Sequence, residues 1–506
     1  MTRRSSASTR SSIRWLAGRN GWRRAGTPTR RRSSISSPPT ASRSTPSNNM
    51  EPGAAADDRA NRRLPRILSG AMVVGLTLSA LSPAASVYVT GSEILKLAGT
   101  GAALAVLIGG AVAVLASLIY AELGSAYPRA GGIYPGIDAI LGRGWALAVI
   151  VLTLVTSPAL LAFISLGLAN YIGIYAPTWP KPIIALVLIV AAALIAATKL
   201  KTSMRVATIL LMIELVAVGA LVAIGVFDHA RGVGDVLLTP VLPDKAGGLM
   251  ATPVATMLIA TLSGAYACSG AGLALYFAED MKGPAQAIGK LVVITGVVTV
   301  MLVAGAVLAV SMGASDLPAT LGSDSPIGTY LAAALGPRVA PVALTVVVLA
   351  IFNNLIAGML AFSRFLFSSG VDQIWPHGLN VRLSALHPQS GSPVYAVLAL
   401  SLVAAAMLVI GQRNLLTLLT AELFSPLSVT LAVIVGRWRR LTGVGTFRAP
   451  LFPLTPLLIL AVLACYFTLN WLDHDHGRIA LICFGVIAIA CYAGHAIQAR
   501  INTRRS

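Results

Sequence analysis

The stretch "LSALSPAASVYV", Leu78 to Val89, lies inside an apolar run that begins near Ile67. A helix buried in lipid gains no stability from Ser-Pro-Ala-Ala-Ser at that depth. Proline removes one internal hydrogen bond and clashes with the preceding turn, and the serines add polar groups that hydrocarbon cannot satisfy. The interruption therefore predicts a break in the helix, and the question is what a broken helix does at mid-membrane.

Composition places the run in its context. Hydrophobic residues make up 56% of the 506, only 11% are charged, and the mean hydropathy is +0.79. A soluble fold of this length carries far more charge, so the chain reads as an all-α, multi-pass membrane protein. The net charge of +20 would suggest nucleic acid, but eleven arginines and no acid lie within residues 1–49, so more than half of the excess sits in one segment. Residues 1–64 are a basic, Ser- and Pro-rich tail. Three readings fit it: a disordered tail, a transit peptide, or a chain that starts at Met50, the last being favoured. No nucleic-acid partner is expected. Cys268, Cys465, Cys483 and Cys491 all fall in apolar runs without metal-ligand spacing, and they read as reduced thiols.

Twelve apolar runs can cross a hydrocarbon core of about 30 Å: 67–90, 101–123, 144–174, 182–198, 205–227, 253–278, 287–312, 339–367, 393–411, 414–436, 451–472 and 479–497. With the N-terminus inside, 31 of the 38 Lys and Arg fall on the cytoplasmic side, which places both termini there and the chain in a cell membrane. An eleven-span alternative, merging the runs across "GQRN", would put Arg437, Arg439 and Arg440 outside and is rejected.

The sixth span holds a second interruption, "GAYACSGAGLALYFAEDMKGP" from Gly264 to Pro284. Each glycine costs a helix about 1 kcal/mol and opens non-helical angles. One break alone is as readily a packing kink. Breaks in spans one and six together match the inverted five-plus-five repeat of secondary transporters, in which freed backbone groups face a substrate at the bilayer midplane.

Three further segments carry a resemblance. "YAELGSAYPRAGGIYPGI" (Tyr120–Ile137), "YFAEDMKGPAQAIGKLV" (Tyr276–Val292) and "VDQIWPHGLNVRLSALHPQSGSPVYA" (Val371–Ala396) resemble, in order, motifs of the amino acid–polyamine–organocation (APC) permeases. The resemblance spans about residues 65–440, the transporter core, and leaves 441–506 for two C-terminal helices. It implies a LeuT-like fold and transport of an amino acid or amine by alternating access. The chain departs from the pattern at both breaks. "SPAAS" replaces a Gly-rich break in span one, and Gly270-Ala271-Gly272 replaces a common Gly-Phe-Glu in span six, which enlarges or neutralises that side of the pocket.

The expected substrate site comprises Ser82, Ala84, Ala85 and Ser86 from the first break, with Tyr266, Cys268, Ser269, Gly270 and Ala271 from the second. N–H groups of the first break would meet a carboxylate and carbonyls of the second an amine, and a ring at Ala271 would exclude larger substrates. Two acids lie within spans, Glu214 ("LLMIELVAV") and Glu422 ("LLTAELFSP"), roughly 13 and 12 Å from opposite faces at 1.5 Å per residue. Intramembrane acids are costly and usually functional. Glu214 is the expected proton-coupling group, with Glu422 serving external gating or a cationic substrate and Asn353 contributing to coupling; sodium is the rival ion. Asn354, Ser157 and Pro158 either line the pocket or tie helices together. Glu122 reads as a helix-end residue facing the cytoplasm. The "DHDHG" loop (Asp473–Gly477) reads as solvated, and neither metal nor cofactor is expected. An enzyme is excluded because no nucleophile–base pair lies in the spans. An exchanger and a nutrient sensor that keeps the transporter fold stay open.

Overall fold

The computed structural model describes residues 66–505 apart from 130, 173–177, 245–247, 324, 337–339, 443–445, 475 and 476. The basic tail, and part of the "DHDHG" loop, lie outside the described residues. The principal helices are α1 (Gly70–Leu81), α2 (Ala102–Ala126), α3 (Arg143–Ile172), α4 (Lys181–Ala197), α5 (Leu200–Phe227), α6 (Val254–Ala267), α7 (Ile288–Gly313), α8 (Ala340–Val371), α9 (Val394–Met407), α10 (Phe424–Trp438), α11 (Leu454–Leu472) and α12 (Gly477–Arg505). One short antiparallel hairpin, Val241–Pro243 with Leu249–Ala251, joins α5 to α6.

Among the described residues, nine helical stretches are long and apolar enough to cross a bilayer. The difference from twelve has a physical origin. From Gly70 to Ala126 the chain is helical except at Ser82 and runs on through a π-helical turn (Ser86–Gly91) and a 3₁₀ turn (Gly99–Gly101), so two expected spans form one stretch of 57 residues. Two more, Lys181–Ala197 and Val394–Ile410, are apolar but shorter. Large side chains on outward faces are apolar, among them Leu194, Val216, Leu402 and Val409. The protein is a multi-pass membrane protein. The separation across "GQRN" is visible as Gly411 at φ 82°, between the 3₁₀ end of α9 and the helix Gln412–Leu419.

Helix α1 is central, packed against α5, α7, α8 and the 3₁₀ segment that follows α6. Around it α2 packs on α6 and α7, while α3 packs on α4, α8 and α12. Small residues allow the α2–α6 contact. A Cβ on Gly109 would stand 2.4 Å from the Thr261 carbonyl oxygen, and one on Gly264 would stand 2.9 Å from that of Ala105. The two backbones touch, as helices do in membranes where glycine lets them approach. This contact fixes where the second half of the sixth span begins.

Candidate functional site

The first break follows from its local sequence. A residue before proline avoids the α region, and Ser82, preceding Pro83, adopts φ 46° and ends α1. Pro83 then opens a new turn, where its missing N–H costs nothing. The orphan N–H groups of that turn find partners at once. Ala85 N donates to Ser82 Oγ (3.1 Å), and Ser86 N donates to the Ser82 carbonyl (3.0 Å). Ala84 N donates to Glu214 Oε1 (2.9 Å), which also accepts from Ser82 Oγ (2.8 Å). Asn353 Nδ2 on α8 approaches Glu214 Oε2 at 3.5 Å, and among the described residues the buried Asn353 Oδ1 has no partner. Ser82, Ala84, Glu214 and Asn353 are each fully buried.

Four expected residues thus form one cluster, but with a different assignment. The carboxylate held by the first break is the protein's own Glu214, which takes the Ala84 N–H, while the Ala85 and Ser86 N–H groups are taken by Ser82.

The second break differs. Helix α6 ends at Cys268, Gly270 takes φ 112°, and a 3₁₀ segment runs from Ala271 to Phe277. Only glycine adopts that angle without strain. The two breaks abut, because a Cβ on Gly270 would stand 2.4 Å from Leu81 Cδ2 at the end of α1. Beyond the breaks, Leu68 N donates to the Asp280 carbonyl (2.9 Å) and Lys282 N to the Leu68 carbonyl (2.8 Å), which ties the entry to α1 to the exit from the sixth span.

A cavity of about 420 Å³ opens against the second break. Tyr266, Ser269, Gly270 and Ala271 line it, as does Glu422, which sits on a 3₁₀ turn (Thr420–Leu423) just before α10. A continuous tenth span was expected; the turn interrupts it and aims the acid inward. Glu422 is open to the cavity, although protein surrounds it. The same cavity is lined by Tyr120 on α2, Tyr276 beyond the break and Tyr466 on α11, with Thr153, Thr156 and Ser157 from α3. Ser82, Ala84, Ala85, Ser86 and Cys268 do not line this cavity.

Ala271 touches the cavity but is only 2% exposed, and its methyl lies toward Gly296 of α7. A ring there would press on α7 as well as on the cavity. Gly272 controls volume more directly, because its Cβ would stand 2.4 Å from the Tyr120 ring. Gly272→Ala is expected to push that ring into the cavity and weaken binding of bulky more than of slender cargo. Competition binding with a series of side-chain sizes checks this; an unchanged rank order would show that the ring has room elsewhere.

Two buried ion pairs escaped the sequence reading. Arg364, near the end of α8, donates from Nε to Asp280 Oδ2 (2.6 Å) and from a guanidinium nitrogen to the Leu360 carbonyl (2.8 Å), and it stacks over Phe277. Arg364 is 3% exposed, at the end of an apolar run where its charge was visible. Glu122, read as a helix-end residue facing the cytoplasm, is a fully buried acid. It accepts from Arg437 Nε (2.7 Å), Thr442 Oγ1 (3.0 Å) and Ala449 N (2.8 Å). At the start of the helix Tyr134–Leu141, Tyr134 donates to Asp372 and meets Ser368 Oγ at 3.1 Å. Burial, with the Asp372 carboxylate beside it, holds that phenol well above the usual tyrosine pKa, so it remains a donor. All three contacts draw on the motifs that carried the resemblance.

The match to known sequences covers the same ground. An amino acid permease family model matches residues 68–501, taking in both breaks, the cavity and the two ion pairs. The chain belongs to the amino acid permease family. It is similar to the Asc-type amino acid transporter 1 of Homo sapiens, with 25% identity over 373 residues, 70% of this chain and 68% of that protein. The Mus musculus and Rattus norvegicus proteins of the same name match at 25% identity over 67% of their lengths. The APC resemblance therefore stands, and this permease is a transporter by family rather than an enzyme.

Proposed function

We propose that this permease moves an amino acid or related amine across a cell membrane by alternating access, driven by protons. In this reading twelve spans cross the bilayer, ten of them as a LeuT-like five-plus-five inverted repeat followed by two C-terminal helices, with both termini cytoplasmic. The observation that carries the reading is the cavity beside the broken sixth span, in a chain whose family moves amino acids. The breaks divide the work. The first holds the coupling acid; the second, with carbonyls near Cys268 and Ser269, receives the cargo.

Glu214 couples through its hydrogen bonds. As a carboxylate it accepts from Ser82 and Ala84, and charge-assisted bonds are roughly twice as strong as neutral ones. Protonation weakens that grip on the α1 break and turns one oxygen into a donor. Turning the Asn353 amide would bring its unpartnered Oδ1 to accept that proton. The α1–α5–α8 junction thus has one set of bonds for each protonation state, which a two-state transporter needs.

Uptake of radiolabelled amino acids and amines into proteoliposomes, with and without an inward proton gradient, tests the reading. Gradient-dependent accumulation that a protonophore abolishes is expected. No uptake above protein-free liposomes would refute transport, and uptake that needs sodium and ignores pH would refute the coupling ion.

A further inference from the structure

Between Glu422 and Asp473 the chain carries no acid, but it carries Arg437, Arg439, Arg440 and Arg448 around the connection from α10 to α11. The four take different courses. Arg437 turns inward to Glu122 and the Ala449 carbonyl. Arg439, Arg440 and Arg448 are exposed, and among the described residues no hydrogen bond or ion pair engages their side chains. Lys290, at the start of α7, is exposed and unmatched in the same way. It belongs to the same surface, because a Cβ on its neighbour Gly289 would stand 3.2 Å from Phe447 Cβ, next to Arg448. The acids on the elements packed here are matched by other cations. Glu122 pairs with Arg437, and Asp138, on the helix Tyr134–Leu141 against α10, pairs with Arg143 at 3.0 Å.

The backbone keeps a cation in this place at a cost. Helix α10 stops where Leu441 N donates to the Gly436 carbonyl (2.7 Å) and Arg440 N to that of Arg437 (3.1 Å). This closure needs one residue in the left-handed region, ordinarily glycine. Arg440 fills it at φ 58°. A side chain held at such an angle is strained, and strain of this kind gathers where a residue binds or switches. Beside it Trp438 is 86% exposed, and Leu451, Leu454 and Leu457 open the outward apolar face of α11. Tryptophan in such a position marks the membrane–water boundary. The free cations therefore stand at the level of the lipid headgroups.

We infer that Arg439, Arg440, Arg448 and Lys290 form a binding site for an anionic phospholipid, its phosphate against the guanidinium groups and its upper acyl chain against Trp438 and Leu451. Guanidinium suits the task because its planar fork meets two phosphate oxygens at once. A lipid held there ties the end of α10 to the start of α7. It also steadies a connection that α2 already grips, through Ala449 N on Glu122 (2.8 Å) and Phe447 N on Ser125 Oγ (3.1 Å). None of the four cations lines the cargo cavity, so the site is independent of the transport reading.

The full-length protein in a neutral detergent is titrated with dioleoylphosphatidylglycerol, dioleoylphosphatidylcholine or inorganic phosphate while its melting temperature is followed. Phosphatidylglycerol should raise that temperature saturably, and the other two should not. Each basic residue strengthens attachment to an anionic lipid surface about fivefold, so Arg439→Gln/Arg440→Gln should raise the half-saturating concentration about 20- to 30-fold. Lys199→Gln/Lys201→Gln, which removes two exposed cations at the start of α5, should leave it unchanged. Arg440→Gly relieves the backbone and deletes the side chain, so it should weaken the lipid effect yet melt no lower than the wild type without lipid. An equal loss in both double variants, or an equal rise with phosphatidylcholine, would overturn the inference. So would inorganic phosphate acting as well as the lipid, or Arg440→Gly keeping the full lipid response.

Discussion

Replacing Glu214 by glutamine is expected to leave a folded permease that still binds cargo but no longer concentrates it with a proton gradient. The amide carbonyl of glutamine can accept from Ser82 Oγ and Ala84 N as Oε1 does, so the broken first span keeps its cap. Its NH₂ group would face Asn353, whose unpartnered Oδ1 can turn to accept from it. The variant therefore imitates the protonated state permanently. With one proton per cargo, a gradient of one pH unit can drive about a tenfold accumulation; in Glu214→Gln the inside and outside concentrations should equalise. Glu214→Ala should behave differently. It strands two buried donors at about 1–3 kcal/mol each, so lowered stability should accompany lost transport. If Glu214→Gln accumulates cargo as the wild type does, the coupling proton is carried elsewhere.

The second large effect concerns Arg364. Removing one partner of a buried ion pair leaves an uncompensated charge and costs about 3–5 kcal/mol. Asp280 is fully buried and its Oδ1 already lacks a partner among the described residues, so Arg364→Met would leave the carboxylate with neither cation nor donor among them. The Asp280 backbone carries the tie to Leu68, so the exit of the sixth span should loosen from the entry to α1 as well. A marked fall in melting temperature is expected, with transport lost. The double variant Arg364→Met/Asp280→Leu, which removes both charges, should recover most of the stability. If the single variant melts with the wild type, the pair does not bind these segments together.

The breaks were legible because their causes are local. Pro83 after Ser82 favours a helix end there, although Ser157-Pro158 runs on inside α3, and the Gly270-Ala271-Gly272 run frees the backbone. The three motifs were legible as patterns, and the family match bears them out. What each break holds was not legible, because the answer lies far along the chain. Ser82 and Glu214 are 132 positions apart, and no periodicity reports that the acid of one helix caps another. Glu122 misled for the same reason: its partners Arg437, Thr442 and Ala449 lie more than three hundred residues away, so it looked like an ordinary helix end. Arg364 carried a visible signal, a cation within an apolar run, that a charge count by side passed over. The tyrosines escaped because Tyr120 and Tyr276 sit at the ends of recognised motifs and were read as part of the pattern. Tyr466 lies on α11, beyond the last of the motifs, and had none to mark it.

Both the division of labour between the breaks and the choice of ion meet in one observable, cargo-driven proton entry. A pH-sensitive dye trapped in proteoliposomes reports it when 1,4-diaminobutane or lysine is added outside without a pre-formed gradient. The lumen should acidify with the wild-type permease and not with Glu214→Gln, although the variant still binds the same cargo. Equal acidification by both proteins, or cargo entry with no proton movement in either, would contradict the assignment of Glu214 as the coupling group.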